Sequence, residues 1–227
     1  MSDVYIVVEG QTEQTFIRDV LAPEMGGRGL FLFAVLVGKP GHKGGDIRFE
    51  RVSEDVIRFL KQRPDTYVST MLDYSRIDIN WPGADAVRAL CAEGTKVSAS
   101  QKGEILEQET VARIEKILPE NEIARRFLPY VEMHEFEALL FSNAEVLVRK
   151  MNVDMADIME ILGPYDGPEE INSDPEKTPS KRLLGFDPAY RKVAMGRILA
   201  AAVGVQEMRL QCPHFDGWLA RLEGLES

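Results

Sequence analysis

Six carboxylates fall where the edge of a catalytic sheet would need them. Glu9 follows the apolar run 4–8, and Glu13 comes one helical turn later. Asp73 follows the third apolar run, 67–72, with Asp78 in the polar stretch behind it. Glu135 and Glu137 follow the fourth run. Carboxylates brought together repel and raise one another's pKa. A divalent cation removes that conflict, and Mg²⁺ or Mn²⁺ prefers such oxygen ligands. Two such ions about 4 Å apart could stabilise both the attacking and the leaving oxygen in phosphodiester hydrolysis. Glu9, Glu13, Asp73, Asp78 and Glu135 are therefore the candidate metal ligands. Glu135 and Glu137 differ by two positions and cannot both point inward from a helix; Glu135, nearer the strand, is taken as the inward one.

A phosphate also needs cations. Ser180-Lys181-Arg182 follows Pro179, where a helix can begin, and Lys181 is the candidate catalytic cation. Lys39, His42 and Lys43 sit in a glycine-rich stretch beyond the second run, placed to close over a polynucleotide backbone. His134 is read as a packed, hydrogen-bonded histidine, as is His214, and Trp81 as loop packing rather than a base-stacking platform.

The elements that must position these groups alternate. Residues 4–8, 30–37, 67–72 and 127–133 read as strands, because short continuous apolar runs suit strands buried on both faces. Gly10 permits a tight turn, and Thr12 can cap a helix over 13–25. Further helices are predicted over 47–62, 84–93 and 104–118, with 94–103 as an exposed loop. Strand–helix alternation predicts an α/β fold with a mostly parallel four-stranded sheet flanked by helices. All carboxyl ends of such a sheet lie on one edge, so the acids can converge there. After residue 142 the strand signals stop. Short helices are expected at 144–150, 154–162, 180–184, 190–203 and 215–225, with 163–179 as loop. The division is an α/β core over 1–142 and a helical C-terminal extension over 143–227.

Composition limits the reading. The 227 residues are 44% hydrophobic, enough for a sizeable core, and the net charge is −10. That excludes a broadly basic nucleic-acid coat but not a metal-dependent nuclease, whose site acids lower the formal charge. There is no run of about 18 apolar residues and hence no expected membrane span. Two distant cysteines, Cys91 and Cys212, are expected to be reduced thiols. No signal peptide is expected, which favours a cytoplasmic protein.

Val8-Glu9-Gly10-Gln11-Thr12-Glu13 after a strand, with Asp73 after the third, resembles the Toprim domain. That domain occurs in type IA and II topoisomerases, bacterial primases and nucleases of the OLD (overcoming lysogenization defect) family. The Glu-Gly-x-Thr-Glu form is most similar to the OLD-type nucleases. Over nearly its full length the chain resembles a bacterial family of unknown function, DUF4276. The supporting stretches are Met71-Leu72-Asp73, residues 130–142, residues 168–172, Thr178-Pro179-Ser180-Lys181-Arg182 and Cys212-Pro213-His214-Phe215-Asp216. The resemblance implies a Toprim-like, Rossmann-like core with Mg²⁺ held by Glu9 and Asp73. It also implies kinship with the nuclease-like subunit of ATPase-containing anti-phage systems such as PARIS. In one respect the chain departs from the pattern. Asp73-Tyr74-Ser75 lacks the second aspartate of Asp-x-Asp, so Asp78 must substitute or one ion must suffice.

The leading expectation is a Mg²⁺-dependent Toprim-type nuclease acting on DNA or RNA. The alternative is a silent or partner-activated effector subunit that binds a partner ATPase. A phosphohydrolase for small nucleotides is a third reading, and a homo-oligomer stays open.

Overall fold

A computed structural model describes residues 2–38, 47–94, 96–119, 122–171 and 176–226. Lys39, His42 and Lys43 lie outside these residues. The first half of the chain alternates strands and helices: β1 (Ser2–Val8), α1 (Gln11–Phe16), a π turn (Ile17–Leu21), α2 (Ala22–Gly26), β2 (Leu30–Leu36), α3 (Phe49–Leu60) and β3 (Tyr67–Asp73). Next come α4 (Ala84–Ala92), α5 (Ala99–Ile117), the single turn α6 (Ile123–Arg126), β4 (Phe127–Leu128) and β5 (Val131–Glu132). A 3₁₀ segment (Phe136–Ser142) leads into α7 (Ala144–Met151), α8 (Met155–Leu162), α9 (Pro179–Phe186), α10 (Lys192–Val203), α11 (Val205–Gln211) and α12 (Pro213–Glu223).

The strands pair in parallel in the order β2-β1-β3, with β4 and β5 both beside β3. The α/β class and the parallel sheet thus follow the sequence expectation in a Rossmann-like arrangement. The strand predicted over 127–133 is instead two dipeptides with Pro129-Tyr130 between them. Pro129 carries no N–H for the ladder. The Thr70 hydroxyl takes over locally, accepting from Tyr130 N and donating to Tyr130 O, both at 3.0 Å.

Side-chain alternation along the strands feeds two cores. Val4, Ile6, Val8 and Met71 face α1, the 3₁₀ segment and helices α7 to α12. Val7, Val68 and Leu72 face α3, α4 and α5. The C-terminal helices therefore bury one face of the sheet, with Trp218 stacked on Tyr130 at 4.4 Å between ring centroids. Helix α5 starts five residues before the predicted 104 because Ser98 and Gln101 form a reciprocal capping box. Gly103 belongs to that helix. A Cβ there would lie 2.3 Å from His214 Nε2, so the α5–α12 crossing leaves room only for glycine. Among the described residues no helix is long and apolar enough to cross a membrane.

Candidate metal centre

Glu9 leaves the end of β1, and the chain turns at once into α1, which carries Glu13 in its first turn. Gly10 is extended here (φ −148°), so its role is clearance: a Cβ would stand 3.1 Å from Glu13 Oε2. Asp73 is the last residue of β3, the strand that lies directly beside β1 in the sheet. One carboxylate oxygen from each of Glu9, Glu13 and Asp73 lies within 4.8 Å of the others. Glu13 and Asp73 are buried, each 4% exposed.

Few donors serve these oxygens. Asp73 N donates to Glu9 Oε2 at 3.3 Å, and Phe136 N donates to Asp73 Oδ1 at 2.9 Å. Burial is the largest influence on all three acids and raises each pKa. Repulsion by Glu9 adds to it for Glu13, which is pushed up to about 7. Asp73 is driven well above the carboxylate range by burial and then by Glu9 and Glu13. Arg76 and Lys192 pull Glu9 the other way. Glu132, opposite Asp73 in the register, is also fully buried. Tyr130 Oη donates to its Oε2 at 2.9 Å.

Three carboxylate oxygens this close, two of them on buried side chains and each disfavoured as an anion, fit a hard divalent cation bound by carboxylates and water. Such an ion would replace mutual repulsion with attraction.

Asp78 lies apart from this trio. Its Oδ1 accepts from Asn80 N at 2.8 Å, closing a turn. Of the pair after β5, Glu137 is the deeply buried acid, at 1% exposure, and its charge acts on Glu9, Glu13 and Asp73. Glu135 instead accepts from Ser180 N at 3.0 Å, at the start of α9. The reason is local conformation: 136–142 is a 3₁₀ segment, and Glu135 sits before it in extended backbone. Ser180 is buried in that contact. Lys181 pairs with Glu176 at 3.0 Å, both exposed, and Arg182 Nε donates to Lys177 O at 2.7 Å.

Lys192 is the cation that faces the acids. Its Nζ lies 3.2 Å from Glu137 Oε1 and 3.3 Å from Oε2, and only Oε2 accepts a directed hydrogen bond. Burial pulls its pKa down, but Glu137, Glu135 and Asp73 together raise it, so it stays charged. Sequence reasoning missed Lys192 because it stands 55 residues beyond its partner, with no motif around it.

His134 is buried edge-on to Tyr74, with ring centroids 5.1 Å apart. Burial and then Lys102 lower its pKa to about 4, which keeps it neutral. Trp81 is buried and donates to Thr110 Oγ1 at 2.9 Å, a packing role.

The model of the family described as a domain of unknown function (DUF4276) matches residues 8–223. The chain belongs to this family. No curated protein and no solved structure matches it. The DUF4276 match opens one residue before Glu9 and closes at Glu223 in α12. It therefore holds the acid trio, Glu137 and Lys192, and it takes in strands β2 to β5 and helices α7 to α12, with only the last residue of β1.

Proposed function

We propose that this DUF4276 chain is a Mg²⁺- or Mn²⁺-dependent nuclease of Toprim type that hydrolyses phosphodiester bonds in DNA or RNA. The observation that carries the reading is the trio of carboxylate oxygens from half-buried Glu9 and buried Glu13 and Asp73, within 4.8 Å of one another at the carboxyl edge of a parallel sheet. Bound there, the ion would polarise the phosphoryl group and supply a nucleophile from water at neutral pH. Glu9, Glu13 and Asp73 hold it. Asp73 is fixed by Phe136 N, and Glu9 by the amide of Asp73 itself. Lys192 and Arg76 supply the positive charge that offsets charge growing on the phosphate oxygens.

The test is cleavage of single- and double-stranded DNA and RNA by the purified chain with Mn²⁺. Cleavage that Glu9→Gln abolishes supports the reading, and cleavage that survives the change contradicts it.

A second reading has its own observation. Asp78 lies outside the trio, and Lys192 is tied to Glu137 rather than free for a substrate. This favours a subunit of an anti-phage defence complex that becomes competent only when a partner ATPase shifts that pair. Metal-dependent cleavage that appears only on adding the ATPase distinguishes it.

A further inference from the structure

The start of α10 carries a hydroxyl with no visible purpose. Tyr190 is 3% exposed, and its Oη has no hydrogen-bond partner among the described residues. A buried hydroxyl left without a partner is costly, so something polar normally meets it. Its surroundings say where that group would lie. A Cβ on Gly196 would come within 3.3 Å of the hydroxyl and equally close to Phe136 Cε1. Glu137 and Glu135 are the charges that act on it. Glu137 Oε1 in turn receives no directed hydrogen bond. Two residues on stands Lys192, with its ammonium against Glu137. It is the first residue of α10, a 12-residue helix whose N-cap residue, Arg191, gives no side-chain cap. The uncapped amides and the helix dipole add positive potential at that end.

We propose that Tyr190 and Lys192 form an anion subsite beside the acid trio, and that it takes a phosphoryl oxygen of the substrate. Lys192 supplies charge. Tyr190 donates a hydrogen bond that no described residue accepts, and the missing Cβ of Gly196 leaves its hydroxyl uncrowded. The substrate assignment rests on the phosphodiester reading above, whereas the subsite rests on the Tyr190 and Lys192 geometry. A hydroxyl that merely held a buried water would occupy the same place but would not affect anion binding.

The test is calorimetric titration of the full chain with inorganic phosphate, with and without Mn²⁺. Tyr190→Phe keeps the ring and removes only the hydroxyl. Gly196→Ala keeps the hydroxyl and crowds it. We expect phosphate affinity to fall about tenfold in Tyr190→Phe and to fall measurably in Gly196→Ala, with Mn²⁺ affinity unchanged in both. Phosphate binding equal to wild type in Tyr190→Phe, or no phosphate binding by the wild type, overturns the proposal. Tyr190-dependent phosphate binding in a chain that takes up no Mn²⁺ would uphold the subsite and remove the metal-dependent reading instead.

Discussion

Two groups of acids, one at the α5–α12 crossing and one at the sheet edge, have surroundings opposite in kind. At the α5–α12 crossing, Glu107 Oε1 accepts from Val131 N at 3.1 Å and lies 2.9 Å from His214 Nε2, while Oε2 lies 2.7 Å from Arg221 Nη2. Nearby, Glu169 accepts the first amides of α12, from His214 at 3.0 Å and Phe215 at 2.8 Å. Every one of these oxygens has a donor supplied by the fold. At the sheet edge, Glu9 and Asp73 each accept one backbone amide, Glu13 is served by its own amide, and the three otherwise face one another. Burial of a charge is tolerated when it is paired and costs heavily when it is not. The first group holds helices together. The second is left for a ligand to complete.

The largest expected effect separates the groups by activity. Asp73→Asn should lower metal-dependent cleavage by on the order of a hundredfold or more, since it removes a ligand to the ion. The same change should raise or leave unchanged the stability of the metal-free chain, because it relieves repulsion. Thermal melts in EDTA check the second half. A large fall in stability there would make Asp73 a structural acid like Glu107.

Glu107→Gln should do the reverse. Breaking a buried pair costs about 3–5 kcal/mol, and the half-exposed Arg221 reduces that here to roughly 2–3 kcal/mol. Urea unfolding measures it, and residual cleavage by the folded fraction should match wild type.

Metal and pH sharpen the contrast. Glu13 holds its proton in the folded chain up to about pH 7, against 4.5 for the free side chain. Between those values the native state binds more protons than the unfolded state, so this group's contribution to stability falls as pH rises from 4.5 to 7. The metal-free protein should therefore lose melting temperature across that window. Mg²⁺ should restore more of it at pH 8 than at pH 5.5. An equal Mg²⁺ effect at the two pH values would count against ion binding by these acids.

Two crowded glycines divide the same way, and the smaller effect belongs to Gly10. Gly103→Ala places a Cβ 2.3 Å from His214 Nε2 and should unsettle the α5–α12 crossing. Gly10→Ala places one 3.1 Å from Glu13 Oε2, a side chain able to move aside. It should weaken Mn²⁺ binding several-fold while changing unfolding free energy by less than about 1 kcal/mol.

How much of this was legible in the sequence follows from what is local and what is not. Strands β1 and β3 show as apolar runs because central parallel strands are buried on both faces, and Glu9 and Asp73 stand where those runs stop; the equally apolar run 30–37 forms the edge strand β2 instead, with Phe31 and Phe33 exposed on one face. The choice between Glu135 and Glu137 depended on backbone conformation. A strand-end argument favours Glu135, but the 3₁₀ segment turns Glu137 toward the acids and leaves Glu135 to α9. The break at Pro129 is a local signal that the apolar run 127–133 obscured. Lys192 and Tyr190 could not be read at all. Their place beside the acids comes from the packing of α10 on α1 and on the 3₁₀ segment, a long-range contact that no spacing encodes.

The central claim is that the acid trio is a cation site because the fold gives it too few donors. Calorimetric titration of the purified chain with Mn²⁺ tests it most directly, on the wild type, Glu9→Gln, Glu13→Gln, Asp73→Asn and, as control, Glu107→Gln. The account predicts saturable binding that each of the three site changes weakens by at least about tenfold and the control leaves intact. Binding that is absent from the wild type, or indifferent to all three changes, would contradict it.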